Sequence, residues 1–71
     1  MQLSKRLSAV AKLVTPGSRL ADVGCDHGYL PIALVKSGKV VSAIAMDVNE
    51  GPLMRARQNI ESFAAAQYIE T

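Results

Sequence analysis

Apolar residues recur at Leu3, Leu7, Val10 and Val14, which lays one stripe along a helix, with Lys5 and Lys12 off it. The spacing predicts a leading helix over residues 1–15. "TPGS", residues 15–18, ends it, because proline cannot continue a helix and glycine permits a sharp turn. "RLADVG" then reads as a short buried strand over 19–23. "YLPIALVKSG", 29–38, predicts a helix with Pro31 tolerated in its first turn and Gly38 as the stop. "KVVSAIAMD", 39–47, is almost continuously apolar, as expected of a strand covered on both faces. "NEGPLMRARQNIESFAAA", 49–66, predicts a second long helix, capped by Asn49 or Gly51 and with Pro52 in its first turn. "QYIET", 67–71, alternates and is expected to begin a third strand.

The order is helix, strand, helix, strand, helix, strand start. The fold class expected is α/β: a β-α-β unit with a parallel, open sheet, preceded by an amphipathic helix. Sheets of this kind bind ligands outside the carboxyl ends of their strands. The "DVGCDHG" and "MDVNEG" turns both fall at that edge.

Composition narrows the reading. The chain has 71 residues, 49% of them hydrophobic and 4% aromatic, so any core is built from Leu, Val, Ile and Ala. Cys25 is the single cysteine; it cannot staple the chain, it has no cluster of metal ligands around it, and it suits a reducing, cytoplasmic compartment. The expected role for this thiol is a buried bystander. Net charge is +2, and Lys5, Arg6, Lys12 and Arg19 all precede the first acid, Asp22. Such a basic segment either faces an anionic partner, nucleic acid included, or is a solvated helix face. A secretory signal is disfavoured because Lys12 interrupts the candidate apolar run, and a transit peptide does not explain why the segment leads straight into a core strand. No apolar run approaches the ~20 residues that span a bilayer, so no membrane partner is expected.

The first turn resembles a phosphate-binding glycine loop, yet carries carboxylates. In the dinucleotide pattern G-x-G-x-x-G the second glycine lets a pyrophosphate reach the backbone. Here the run is Gly24-Cys25-Asp26-His27-Gly28, with Asp26 in that position. A carboxylate beside a phosphate costs about 1 kcal/mol at 4 Å even in bulk water, and more as water leaves. A ligand with positive charge and no phosphate suits the turn better. S-adenosylmethionine, with its ammonium and sulfonium groups, meets both conditions. Asp22 and Asp26 would accept hydrogen bonds or supply a favourable field, while Gly24 and Gly28 would allow close approach. Asp47 lies 23 residues beyond Gly24 (47 − 24) at the end of the second strand, where an acid typically binds ribose hydroxyls. Val48 is then placed to pack on an adenine face. Each residue also has a purely structural alternative. Asp22 caps a helix or binds loop amides, Asp26 is an N-cap, His27 is a loop residue without catalytic duty, and Asp47 caps the next helix.

"LSKRL", "RLADVGCDHGYLPIALVKSGKV" and "AIAMDVNEGPLMRARQNI" together resemble the bacterial tRNA (adenine-22-N1)-methyltransferase family, over about residues 3–60. The Asp-Val-Gly-x-Asp-x-Gly-Tyr-Leu-Pro turn followed by Asp-Val-x-Glu-Gly-Pro is more specific than a generic methyltransferase glycine motif. The resemblance implies a Rossmann-like methyltransferase domain followed by a helical domain, S-adenosylmethionine as methyl donor and tRNA as acceptor. It implies that Gly24, Asp26 and Gly28 form the cofactor turn and that Asp47 is the ribose acid. Arg6 is implied as a contact for the cofactor's carboxylate or for RNA. Family members are longer, so the chain is expected to be an amino-terminal part: a leading helix over 1–15, then β-α-β-α and a third strand start over 19–71. On its own it is expected to be inactive toward tRNA and, with the edge of its first strand left open, to self-associate by edge pairing or by exchange of a helix, or to require an adjoining segment. No catalytic residue is assigned and no metal is expected.

Two other classes compete. One is half of a NAD- or nucleotide-binding oxidoreductase domain, against which Asp26 argues. The other is a non-enzymatic module whose basic first helix binds RNA or a partner. It predicts RNA binding without cofactor binding.

Overall fold

The computed structural model describes residues 3–71; Met1 and Gln2, part of the expected leading helix, lie outside the described residues. Helix α1 runs Lys5–Leu13. Ser4 starts it, its Oγ accepting the Leu7 N–H at 3.2 Å, which satisfies one of the free amides of the first turn. Lys39 closes the other end by donating from Nζ to the Ala11 carbonyl at 2.7 Å, a cation where the helix dipole is negative. Leu3, Leu7, Ala11 and Val14 pack against the core, whereas Val10 is largely exposed. The expected stripe is therefore corrected at one position: the helix is rolled toward Ala11, which places Val10 at the rim.

Strand β1 (Arg19–Val23) pairs in parallel with β2 (Ser42–Met46), in a register that sets Leu20 beside Ala43 and Asp22 beside Ala45. Helix α2 (Tyr29–Lys36) makes the crossover. Its third residue, Pro31, is fully buried, where a missing N–H removes no intrahelical bond. Helix α3 (Glu50–Ser62) leads to β3 (Ile69–Glu70), which pairs in parallel with β2 and gives the order β1-β2-β3.

The helices cover one face of this sheet. Ala43 and Ala45 of β2 and Ile69 of β3 are buried under α2 and α3 with Ile32, Leu34 and Ile60. Ile44, Met46 and Val23 alternate onto the other face and are exposed, Val23 by 77%. This corrects two expectations. Strand β1 contains no buried residue, and β2 is covered on one face only and is shorter than 39–47. An apolar run shows that a strand can be buried, but not how many layers are present to bury it.

Two helices end in the same way with different residues. After α2, the Gly38 N–H donates to the Val35 carbonyl and the Lys39 N–H to the Leu34 carbonyl, both at 3.0 Å. After α3, the Ala64 N–H donates to the Glu61 carbonyl at 3.0 Å and the Ala65 N–H to the Ile60 carbonyl at 2.9 Å. Both are Schellman motifs, which require a left-handed residue at the first position beyond the cap. Gly38 supplies it at φ 79° and Ala64 at φ 55°. The expected helix over 49–66 thus stops four residues early, at Ser62, on an alanine that gives no sequence signal. A left-handed alanine costs about 1 kcal/mol that glycine does not pay. Ala64→Gly is accordingly expected to stabilise the fold by about 1 kcal/mol, read as a higher urea midpoint; an unchanged or lower midpoint would show that the strain is absent.

Candidate functional site

Parallel pairing places the carboxyl ends of β1 and β2 side by side, and the backbone then stitches their two turns together. The Gly24 and Cys25 N–H groups both donate to the Met46 carbonyl at 2.8 Å. The Asp26 N–H donates to Asp47 Oδ2 at 3.3 Å, and the Asn49 N–H to Asp47 Oδ1 at 2.9 Å. The two turns expected to converge do so, through Asp47.

Within the first turn Asp26 is left-handed at φ 52°, and Gly28, at φ 75°, is the residue that opens α2. No side chain caps this helix, so Asp26 is not its N-cap. The Asp26 carboxylate instead meets His27 Nδ1 at 3.2 Å and Arg55 Nη2 of α3 at 4.0 Å. The His27 and Tyr29 rings stack at 5.2 Å and 13°. Asn59 of α3 steadies the turn by donating from Nδ2 to the His27 carbonyl at 2.8 Å.

The glycines of the turn differ in purpose. A Cβ on Gly24 would meet nothing within 4 Å, so this backbone is open to a ligand. A Cβ on Gly28 would lie 3.1 Å from the Ala56 Cβ. Gly28 is thus a packing position, where α3 passes close to the turn, rather than a wall of the site.

A cavity of about 100 Å³ sits against the turn, lined by Arg6, Leu7, Asp22, Gly24, Cys25, Asp26, His27, Tyr29 and Leu30. Arg6 comes from α1, so the leading helix supplies one wall. Val48 is 96% exposed beside Asp47 and makes no part of this wall. A larger hollow of about 340 Å³ lies at the opposite, amino ends of the strands, along Arg19, Ser42, Ile44 and Tyr68. It is open sheet surface rather than a convergence of chemical groups, and the smaller cavity is the better site candidate.

Asp22 is the distinctive group in that cavity. Burial raises its carboxyl above the ordinary carboxylate range, and among the described residues no hydrogen bond or ion pair offsets this. A folded-state value above the unfolded one means that the native chain holds the proton longer. Stability is then unaffected below the ordinary carboxylate value and falls as pH rises through the window up to the raised one. Asp22→Asn is expected to lose that fall and to be at least as stable as the parent at pH 7. Urea midpoints of both proteins between pH 3 and 7 check this; a less stable variant at pH 7 would mean that the carboxylate has a partner. Cys25 is buried, and burial, followed by the charges of Asp22 and Asp47, pushes its thiol up, away from a reactive thiolate.

Sequence reasoning placed Asp22, Asp26 and Asp47 at one edge and the resemblance implied Arg6, and the structure brings all four there. It missed the stacked His27–Tyr29 pair and the Asn59 anchor, neither of which has a spacing signal. Among the described residues no group of three or more His, Cys, Asp or Glu could hold a metal ion. No helix among them is long and apolar enough to cross a membrane.

A family model described as a methyltransferase domain matches residues 3–71. The tRNA (adenine(22)-N(1))-methyltransferase of Bacillus subtilis is 38% identical over 69 residues, which is 97% of this chain and 29% of that protein. The structure of TrmK from M. capricolum, in complex with S-adenosylhomocysteine, superposes with a TM-score of 0.94 at 45% identity, covering 100% of this chain and 31% of that one. Sp1610 of Streptococcus pneumoniae, in complex with S-adenosylmethionine, superposes at 0.93 with 48% identity, covering 97% of this chain and 32% of that one. The chain spans about three tenths of the length of each of these relatives.

Proposed function

Because the chain belongs to the methyltransferase-domain family, we propose that it is the cofactor-binding part of an S-adenosylmethionine-dependent methyltransferase acting on N1 of adenine 22 in tRNA. In this reading residues 1–15 are the segment that carries the leading helix α1, and residues 19–71 the β-α-β-α portion and third strand, of a Rossmann-like domain. The observation that carries it is Asp22, a half-buried carboxylate without a partner among the described residues, in a small cavity whose backbone is tied to Asp47. Such a group rejects phosphate and attracts a cation. S-adenosylmethionine offers an ammonium for Asp22 and Asp26, a carboxylate for Arg6 and ribose hydroxyls for Asp47. Val48 is exposed beside Asp47, free to pack on the adenine.

The bound cofactor would supply an electrophilic methyl group on sulfur. The residues of this chain would hold it still, and much of the acceleration of a methyl transfer comes from such positioning. The tRNA substrate and the cytoplasmic setting follow from the same reading. The similar proteins that bind S-adenosylmethionine or its product support it over a NAD-binding half-domain, in which Asp26 would face a pyrophosphate. They equally support it over an RNA-binding module without cofactor.

The test is photo-crosslinking with S-adenosylmethionine labelled in its methyl group, followed by tryptic mapping. Label is expected on the peptide 20–36, which holds Asp22 to Tyr29, and on 40–55, which holds Asp47 and Val48. Label confined to other peptides, or none, would refute the assignment.

The same reading includes self-association. Among the described residues the outer edge of β1 is unpaired in the order β1-β2-β3, and no proline blunts it. A second copy of the chain, pairing along residues 19–23, is the expected occupant. Light scattering with mass detection at micromolar concentration is expected to report a dimer or larger species. A monodisperse monomer would contradict it.

A further inference from the structure

The two turns of the site are not merely adjacent. The carboxylate of Asp47 spends one oxygen on the Asp26 amide and the other on the Asn49 amide, at 3.3 and 2.9 Å. Among the described residues Asp26 is one of two non-glycine residues with positive φ, a conformation uncommon for L-residues, which aspartate tolerates better than most and which a bond to its amide helps to hold. Its side chain in turn meets His27 and Arg55, so the position of Asp26 sets one wall of the cavity lined by Asp22, Gly24 and His27.

We propose that Asp47 is a positioning residue as well as a nucleoside contact: through the Asp26 amide it holds the first turn in its left-handed form, and so couples the nucleoside half of the site to the amino-acid half. The coupling rests on the reading of the site as one for S-adenosylmethionine; the clamp itself does not. A carboxylate has lone pairs to spare beyond the two amides, so ribose hydroxyls can be accepted without releasing the clamp. A ligand touching Asp47 then stiffens the turn that its other end must meet.

The experiment uses the ¹⁵N-labelled chain and its Asp47→Asn variant, with methionine as the probe because it carries no ribose. In the free parent the Asp26 amide is expected to exchange with solvent at least about tenfold more slowly than in the variant, while core amides such as Ala45 exchange alike. Methionine, followed by the shifts of Gly24 and His27, is expected to bind the variant about three- to tenfold more weakly, and adenosine is expected to tighten methionine binding to the parent only. Equal Asp26 exchange in the two proteins overturns the clamp. Equal methionine affinity, with adenosine alone weakened, overturns the coupling and leaves Asp47 a ribose contact. If the parent binds neither S-adenosylhomocysteine nor methionine, the coupling fails together with the functional reading, and the exchange comparison still decides the clamp.

Discussion

Ile32→Ala is expected to remove a large share of the chain's stability and to lower its urea midpoint markedly. Ile32 is fully buried in α2, beneath the sheet and against the core residues of α3 and β3. Truncating a buried isoleucine costs about 2–5 kcal/mol, the upper end where the surroundings cannot collapse into the cavity. Collapse is restricted here because the buried strand residues of the same core include Ala43 and Ala45, which have no longer rotamers to swing inward. A domain of this size has a total stability of about 4–11 kcal/mol, so the loss takes a large share of the whole. Urea titration followed by circular dichroism measures it. A midpoint within experimental error of the parent would mean that the core is not organised around α2.

Asp47→Ala is expected to weaken S-adenosylhomocysteine binding by about 1.5–3 kcal/mol, which is about 10- to 150-fold. The variant loses the proposed acceptor for the ribose hydroxyls and, at the same time, the carboxylate bonded to the Asp26 and Asn49 amides. Calorimetric titration of the two proteins measures the difference. Unchanged affinity would remove Asp47 from the site, whatever its structural role.

Most of the architecture was legible because it rests on local rules. The bounds of β1 match the expected 19–23, and α2 begins at Tyr29 and ends before Gly38 as its proline and glycine imply. The end of α3 was not legible, because Ala64 does the work usually left to glycine. The exposure of Ile44 and Met46 was not legible either: their apolarity is a property of the strand, while their exposure depends on which layers stand over the sheet.

The site divides in the same manner. Asp26 and Asp47 could be picked out by type and spacing, since one replaces a glycine and the other ends a strand. That they are joined by a hydrogen bond depends on the left-handed turn at Asp26, a conformation aspartate tolerates but no spacing announces. Gly28 has a packing duty that no sequence pattern announces. Its lack of a side chain serves α3, whose Ala56 lies where a Cβ would go. Arg6 was attached to the site by resemblance alone, and its contribution to the cavity wall follows from the packing of α1 against α2.

The central claim is that a phosphate-free nucleoside ligand bearing an ammonium group binds between the Gly24 and Asp47 turns. The most direct test is parallel titration of the ¹⁵N-labelled chain with S-adenosylhomocysteine and with NAD at matched concentrations. Saturable shifts at Gly24, Asp26 and Asp47 with S-adenosylhomocysteine, and none there with NAD, are the predicted result. Shifts at those residues with NAD but not with S-adenosylhomocysteine would contradict the account.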